Sequence, residues 1–224
     1  MAIEEQSVTL PTGLPSYIAV EGPIGVGKTS LAKKLAHRFN YDTLLELADQ
    51  NPFLERFYRD PQTAALPTQL HFLFQRAKQL QGIRQGDIFQ QVRVADFLIE
   101  KDPLFAQVTL DDDELRLYQQ VFDQLTLDAP KPDLVIYLQA PSDILMQRVE
   151  RRGIAAERHI DSDYMTRINE AYTHFFYYYD DAPLLIINAA EINPVDNEQD
   201  FDALVDYLPR IKSGRHYYNP HANR

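Results

Sequence analysis

The chain has 224 residues, 45% of them hydrophobic, a formal net charge of −11 at pH 7 and no cysteine. Length and composition are typical of one globular domain with a single sizeable core. The acidic charge argues against a protein that binds duplex nucleic acid, and the lack of cysteine excludes disulfides, thiolate catalysis and cysteine-based zinc sites.

Five short apolar runs alternate with longer helical patterns. The runs are Tyr17–Val20, Leu44–Leu47, Val92–Ala95, Leu134–Leu138 and Leu184–Ile187. Such runs are typical of a parallel sheet covered by helices on both faces, and the alternation predicts an α/β fold. Helices are predicted to begin after Gly27, near Asn51, near Pro67, near Asp111, at Ser142, near Asp161 and near Asn197.

The first helix is preceded by a phosphate-binding loop. Its residues are Gly22, Pro23, Ile24, Gly25, Val26, Gly27, Lys28 and Thr29, with Ser30 following. They fit the pattern G-x-x-x-x-G-K-[ST] between a strand and a helix, in which backbone N–H groups face phosphate oxygens. Lys28 is expected to reach the β- and γ-phosphates, and the Thr29 hydroxyl is expected to bind Mg²⁺. The loop predicts a nucleoside triphosphate ligand, but motors, GTPases and ATP-gated switches share it.

Two carboxylates follow predicted strands, where open α/β sheets bind their ligands. Glu46 follows Thr43–Leu45, and Asp96 follows Val92–Ala95. We interpret Asp96 as an acid that helps hold Mg²⁺, and Glu46 as the base that takes a proton from an attacking hydroxyl. For each acid, a solvated loop position is the alternative.

The helix predicted near Pro67 carries Gln69, Phe72 and Arg76 on one face, since they are spaced i, i+3 and i+7. An amide, a ring and a guanidinium in one row could bind the edge and face of a nucleobase. By periodicity alone, Phe72 could equally be core and the two polar residues solvated.

Asp111, Asp112 and Asp113 could suggest a metal cluster. They stand directly before the apolar positions of a helix. A helix N-terminus that they cap is the simpler interpretation.

Arg148 and Arg152 are spaced i, i+4 just before Gly153. An arginine pair before a glycine hinge is typical of a lid that closes over a transferring phosphoryl group. An exposed basic helix end is the alternative.

The segments outside this pattern are an N-terminal tail, 1–15, and a basic C-terminal tail, 212–224, around a domain at 16–211. The N-terminus has no secretory signal pattern. No apolar stretch reaches the roughly 20 residues of a membrane helix. We therefore expect a cytoplasmic protein that has no membrane partner and does not bind a nucleic-acid polymer.

Three separated segments resemble the deoxynucleoside kinase family, including its bacterial purine deoxynucleoside kinases. They are Ile18–Gly25, Asn51–Tyr58 and Lys131–Leu138. The resemblance covers the chain from Tyr17 to about Leu208. It implies the phosphate-binding-loop kinase fold, with a five-stranded parallel sheet, ATP and Mg²⁺ as cofactors, a deoxynucleoside substrate, and a homodimer.

The resemblance also implies roles for individual residues. Glu46 resembles the base that deprotonates the sugar 5′-hydroxyl, and Arg148 and Arg152 resemble lid arginines. Other positions match groups that bind the substrate. They are Gln69 and Arg76 for the edge of the nucleobase, Phe105 for stacking on the nucleobase, and Tyr58 and Glu157 for the sugar 3′-hydroxyl. In the family, the segment Ala189–Asp200 contacts the adenine of ATP.

The chain departs from the family at two places. Ala95-Asp96-Phe97 replaces the Glu-Arg-Ser of animal members and resembles the bacterial Ala-Asp-Tyr. Ile154 stands where many members have a further lid arginine, for which Arg151 or Arg158 could substitute.

Sequence and resemblance together predict ATP-dependent phosphorylation of a deoxynucleoside, with purines preferred, in nucleotide salvage. A nucleoside monophosphate kinase such as a thymidylate kinase is one alternative. It would need an arginine near the acceptor phosphate and no base such as Glu46. A non-catalytic subunit that senses nucleotides is the other alternative.

Overall fold

The computed structural model describes residues 14–85 and 93–219. Within them, six strands form one parallel sheet in the order β2-β3-β1-β4-β5-β6. The strands are β1 Tyr17–Glu21, β2 Asp42–Leu44, β3 Arg93–Ala95, β4 Leu134–Gln139, β5 Leu184–Asn188 and β6 Arg215–Tyr218. The α/β class predicted from the alternating runs is confirmed.

Helices connect the strands. They are α1 Lys28–Phe39, α2 Leu54–Arg59, α3 Pro61–Gln85, α4 Asp102–Thr109, α5 Asp112–Thr126, α6 Ser142–Arg152, α7 Ser162–Tyr178 and α8 Glu198–Tyr207. Short 3₁₀ turns lie at Ala48–Gln50, Ile99–Lys101, Ala155–His159 and Leu208–Arg210. Among the described residues, no helix is long and apolar enough to cross a bilayer.

The prediction of five strands is wrong, because the structure has a sixth. This strand, β6, lies in the segment predicted as a basic tail and pairs in parallel with β5. Its residues are Arg-His-Tyr-Tyr, of which only Tyr218 is buried. An edge strand has one neighbour and a partly solvated surface, so it lacks the continuous apolar run that reveals a central strand. The tail residues 1–13 and 220–224 lie outside the described part of the chain.

One predicted helix start needs correction, and one helix was not predicted. Pro67 does not begin a helix but lies inside α3, which starts at Pro61. Proline at the first helical position is favoured because its missing N–H would be unpaired there anyway. Sequence patterns did not predict α4, whose eight residues are too few for a clear period.

The acidic triplet caps a helix, as predicted. The Asp111 side chain accepts from the backbone N–H groups of Asp113 and Glu114, and Glu114 completes a capping box. In the described part of the chain, no group of three His, Asp or Glu residues is arranged to hold a metal ion. Asp161 and Asn197 cap α7 and α8 in the same way.

Candidate active site

The phosphate-binding loop lies between β1 and α1, in the centre of the sheet. Gly22, Gly25 and Gly27 have φ angles of +149°, +84° and +105°, a region that side chains rarely adopt. A Cβ at Gly22 would lie 2.2 Å from the backbone oxygen of Leu138 on β4. The loop is therefore packed closely against the neighbouring strand, and its path requires glycine.

Lys28 begins α1 and folds back over the loop. Its Nζ donates to the backbone oxygen of Pro23 at 3.2 Å. Burial, with repulsion from Lys101, lowers the pKa of Lys28 to about 8. A partly buried ammonium group at a helix N-terminus is well placed to bind an anion such as phosphate.

Thr29 lies in the first turn of α1 and Asp96 follows β3, and the two meet because β3 pairs with β1, the strand before the phosphate-binding loop. The Thr29 hydroxyl donates to Asp96 Oδ2, and the backbone N–H of Glu46 donates to Oδ1 at 2.6 Å. Burial raises the pKa of Asp96, although the hydrogen bond from Thr29 opposes the shift. A hydroxyl and a carboxylate are oxygen ligands of the kind that Mg²⁺ prefers, so the donor set fits that ion.

A single pocket next to this loop contains most of the residues predicted for the site. We call it the acceptor pocket. The predicted residues that line it are Ile24, Gly25, Lys28, Thr29, Glu46, Tyr58, Gln69, Phe72, Arg76, Asp96, Phe105, Arg152 and Glu157. They come from seven separate parts of the chain, so the fold brings the predicted donor and acceptor groups into one cavity.

Arg76 lies between two carboxylates in this pocket. Its guanidinium forms ion pairs with Glu46 and with Asp102, the first residue of α4. The Arg76 and Asp102 side chains are 4% and 1% exposed, whereas Glu46 is 18% exposed. Arg76 thus contacts the predicted base directly, in addition to lying on the same helix face as Gln69 and Phe72.

Glu157 and Arg152 form a bidentate ion pair at the pocket mouth. The Arg152 Nε and Nη2 atoms lie 3.1 and 2.6 Å from the two carboxylate oxygens. Burial raises the pKa of the Tyr58 phenol well above its usual value, and Tyr164 and Glu157 raise it further. The phenol therefore stays protonated beside the Glu157 carboxylate.

Arg148 lies elsewhere, in a second cleft on the other side of the loop. It donates to the backbone oxygens of Val26, at 3.4 Å, and Ala189, at 2.7 Å. This outer cleft is lined by Gly25, Val26, Gly27, Ser30, Arg148, Arg151, Arg152, Asn193, Val195 and Asp196, among others. Among the predicted arginines, only Arg152 borders both the acceptor pocket and the outer cleft. The predicted loop residues Gly22 and Pro23 line neither cavity.

Sequence patterns missed a buried polar cluster that reaches the acceptor pocket through Lys101. Glu21 is 0% exposed, Lys101 is 1% exposed, and Tyr172 is 0% exposed. The available signals were weak: an acid at the end of an apolar strand, and a lysine in an otherwise apolar stretch. Asp102, which pairs with Arg76, was also missed.

The sheet order and the loop between β1 and α1 are those of a phosphate-binding-loop α/β protein, and the acceptor pocket lies directly beside that loop. The deoxynucleoside kinase family model matches residues 18–211, and the chain belongs to the deoxynucleoside kinase family. The enzyme class predicted from the sequence is therefore confirmed.

Several relatives have this activity in their names. Over 157 residues the chain is 35% identical to the deoxyguanosine kinase of Bacillus subtilis (strain 168), covering 70% of this chain and 76% of the relative. It is 28% identical over 204 residues to the deoxyadenosine/deoxycytidine kinase of the same organism, covering 88% and 93%. The structure of deoxyadenosine kinase from M. mycoides with bound dATP superposes with a TM-score of 0.75, covering 86% of this chain and 98% of that one. At 24% identity, this likeness supports the fold.

Proposed function

We propose that the protein transfers the γ-phosphoryl group of ATP to the 5′-hydroxyl of a deoxynucleoside, with a purine preferred. One observation carries the proposal: Glu46 lines the same pocket as Lys28, Thr29 and Asp96. A carboxylate that can accept a proton therefore faces the groups suited to a triphosphate and its metal ion.

In the proposed reaction, Glu46 takes the proton of the 5′-hydroxyl as the oxygen attacks the γ-phosphorus. The bond to the β–γ bridging oxygen breaks, and ADP leaves with that electron pair. The ion pair with Arg76 fixes the position of the Glu46 carboxylate. Lys28 and Arg152 are positioned to stabilise charge on the transferring group.

Mg²⁺, when bound with ATP, would neutralise charge on the phosphates and orient them for in-line transfer. Thr29 and Asp96 are the residues proposed to hold it. The backbone N–H of Glu46 already binds the second oxygen of Asp96. A shift of the metal-binding acid would therefore also move the proposed base.

The acceptor pocket offers groups suited to a deoxynucleoside. Phe72 and Phe105 supply rings that can stack on the nucleobase. Gln69, which is 5% exposed, supplies an amide that can hydrogen-bond to the edge of the nucleobase. Tyr58 and Glu157 supply a phenol and a carboxylate for the 3′-hydroxyl. A purine preference is supported by the deoxyguanosine and deoxyadenosine kinases among the relatives.

Three further parts of the proposal follow from this activity. Phosphorylation of a preformed deoxynucleoside is by its chemistry a salvage step, and we propose the cytoplasm as its location. A homodimer is proposed from the family resemblance. The exposed Tyr177 and Tyr178 at the end of α7, 67% and 68% exposed, offer aromatic surface for such a contact.

The direct test incubates the pure protein with ATP, Mg²⁺ and each of the four deoxynucleosides, and follows ADP release and the 5′-monophosphate. We expect turnover with at least one purine deoxynucleoside. Turnover only when deoxynucleoside monophosphates replace the nucleosides would support a monophosphate kinase. Tight nucleotide binding with no turnover would support a non-catalytic nucleotide sensor. The feature that favours this alternative is the exposed Ile154, which stands where many family members have a lid arginine.

A further inference from the structure

Lys101 is a buried lysine of the acceptor pocket that the proposed reaction does not use. It lies in the 3₁₀ turn before α4, is 1% exposed, and lines the pocket together with Lys28, Glu46 and Asp96. A lysine is almost never fully buried unless a partner or a ligand compensates its charge. Its surroundings therefore need an explanation.

The hydrogen-bond partners of Lys101 inside the protein are distant, and its Nζ also lies 5.1 Å from the centre of the Phe105 ring. Its Nζ lies 3.4 Å from the Glu21 carboxylate and 3.5 Å from the Tyr172 hydroxyl. These lengths are beyond the usual 2.7–3.2 Å of N–H···O hydrogen bonds. An ammonium group has three N–H donors, and such loose contacts leave it able to bind a ligand.

Glu21 does not require the lysine for its hydrogen bonds. Its carboxylate accepts from the backbone N–H groups of Gly22 and Leu98, each at 2.8 Å, and from Tyr172 at 2.9 Å. These bonds connect the phosphate-binding loop to the segment after β3 and to α7. These three hydrogen bonds to Glu21 are shorter than the contact between Glu21 and Lys101. They therefore hold the Glu21 carboxylate in place, and Lys101 mainly supplies a compensating positive charge.

Electrostatics place Lys101 between the donor and acceptor groups. Burial lowers the pKa of Lys101 to about 8, with Arg76 adding to the effect and Glu21 and Asp96 opposing it. The positive charge of Lys101 in turn helps to lower the pKa of Lys28. The Lys101 side chain lines the acceptor pocket together with Lys28, Asp96 and Arg76.

We propose that Lys101 binds an oxygen of the phosphoryl group at the acceptor end of its transfer, and then the 5′-phosphate of the product. This inference rests on the proposed function, because it assigns a further residue to the same reaction. Lys28 would hold the phosphoryl group before transfer, and Lys101 would hold it afterwards.

The test compares the dissociation constants of deoxyguanosine and deoxyguanosine 5′-monophosphate, measured by calorimetry on the wild type and on Lys101→Met. We expect the variant to bind the monophosphate about tenfold or more weakly and deoxyguanosine within about twofold, as for loss of one charge-assisted hydrogen bond. Turnover of the wild type tests the proposed function separately, because these binding measurements need no catalysis.

Tyr172→Phe is the matched control, since it changes the same cluster but keeps the lysine. It should leave the ratio of the two dissociation constants unchanged. An equal change of this ratio in both variants, or no change in Lys101→Met, would overturn the proposal.

If Lys101→Met does not fold because Glu21 loses its counter-charge, a second pair of variants decides. Glu21→Gln is compared with Glu21→Gln/Lys101→Met, in which neither charge remains. The double variant must show the weaker monophosphate binding relative to Glu21→Gln. Equal binding by the two variants would refute a role for Lys101 in binding phosphate.

Discussion

The guanidinium of Arg76 on α3 is ion-paired with the carboxylate of Glu46, which follows β2. Its other side pairs with Asp102 at the start of α4. One arginine therefore connects the proposed base to two helices and fixes it from inside the protein. Because the pair is largely buried, its geometry affects both chemistry and stability.

Glu46→Gln tests the chemistry. The amide cannot accept the 5′-hydroxyl proton, so kcat should fall by about 10² or more. The loss is measured by steady-state kinetics, with nucleotide affinity measured in parallel and expected to change little. Full activity in this variant would favour the monophosphate kinase, whose substrate needs no such base.

Arg76→Met tests the stability. Removal of the arginine leaves Asp102, whose side chain is 1% exposed, as a buried charge without its ion-pair partner. Breaking a buried pair in this way typically costs about 3–5 kcal/mol, which urea unfolding should detect. Arg116→Met is the matched control, because Arg116 pairs with Asp113 at the surface, with 68% and 88% of the side chains exposed. That change should cost about 1 kcal/mol or less, and equal losses in both variants would contradict the assignment.

Gly22→Ala tests the close packing of the phosphate-binding loop. The new Cβ would collide with the backbone oxygen of Leu138, at a φ angle of +149°. We expect a loss of stability of about 2 kcal/mol or more together with loss of ATP binding. Gly82→Ala in α3 meets no atom within 4 Å, and should stabilise the helix by about 0.5–1 kcal/mol. Unfolding midpoints and ATP titration of both variants check these expectations.

The two clefts predict different effects for the two arginines of α6. Arg152 borders both cavities, so Arg152→Met should lower kcat by about 10-fold or more through loss of charge stabilisation. Arg148 binds two backbone oxygens at the outer cleft. Arg148→Met should therefore mainly raise KM for ATP and lower the unfolding temperature. The division of effects between kcat and KM is the measurement, and a reversed pattern would argue against these placements.

The two pocket lysines, Lys28 and Lys101, predict opposite pH trends for activity and stability. The pKa values of Lys28 and Lys101 are lowered to about 8. If both must be charged to bind phosphate, kcat/KM should fall as pH rises through about 8. Stability should change in the other direction between pH 7 and 9. Above pH 8 the unfolded state, with its ordinary lysine pKa, binds more protons than the folded state, so the cost of the buried charges is relieved.

Initial rates and urea unfolding across this pH range measure the two trends. In Lys101→Met, the increase of stability with pH should be smaller than in the wild type. A wild-type protein that loses stability steadily from pH 7 to 9 would contradict this explanation.

Local sequence patterns were sufficient for the parts of this protein that depend on neighbouring residues. The phosphate-binding loop is readable because its glycines, Lys28 and Thr29 lie within eight positions. The capping of α5 by Asp111 depends on residues only two and three positions later. The central strands β1, β4 and β5 are readable because burial on both faces requires a continuous apolar run.

Tertiary structure decided the contacts between charged groups that are distant in the chain. Glu46 and Arg76 are 30 residues apart, and Glu21 and Lys101 are 80 residues apart. Whether such groups meet depends on strand order and on the packing of α3 and α4 against the sheet, which no local period encodes. The sixth strand was hidden for the same reason, since a polar edge strand is stabilised by pairing with β5 rather than by an apolar pattern of its own.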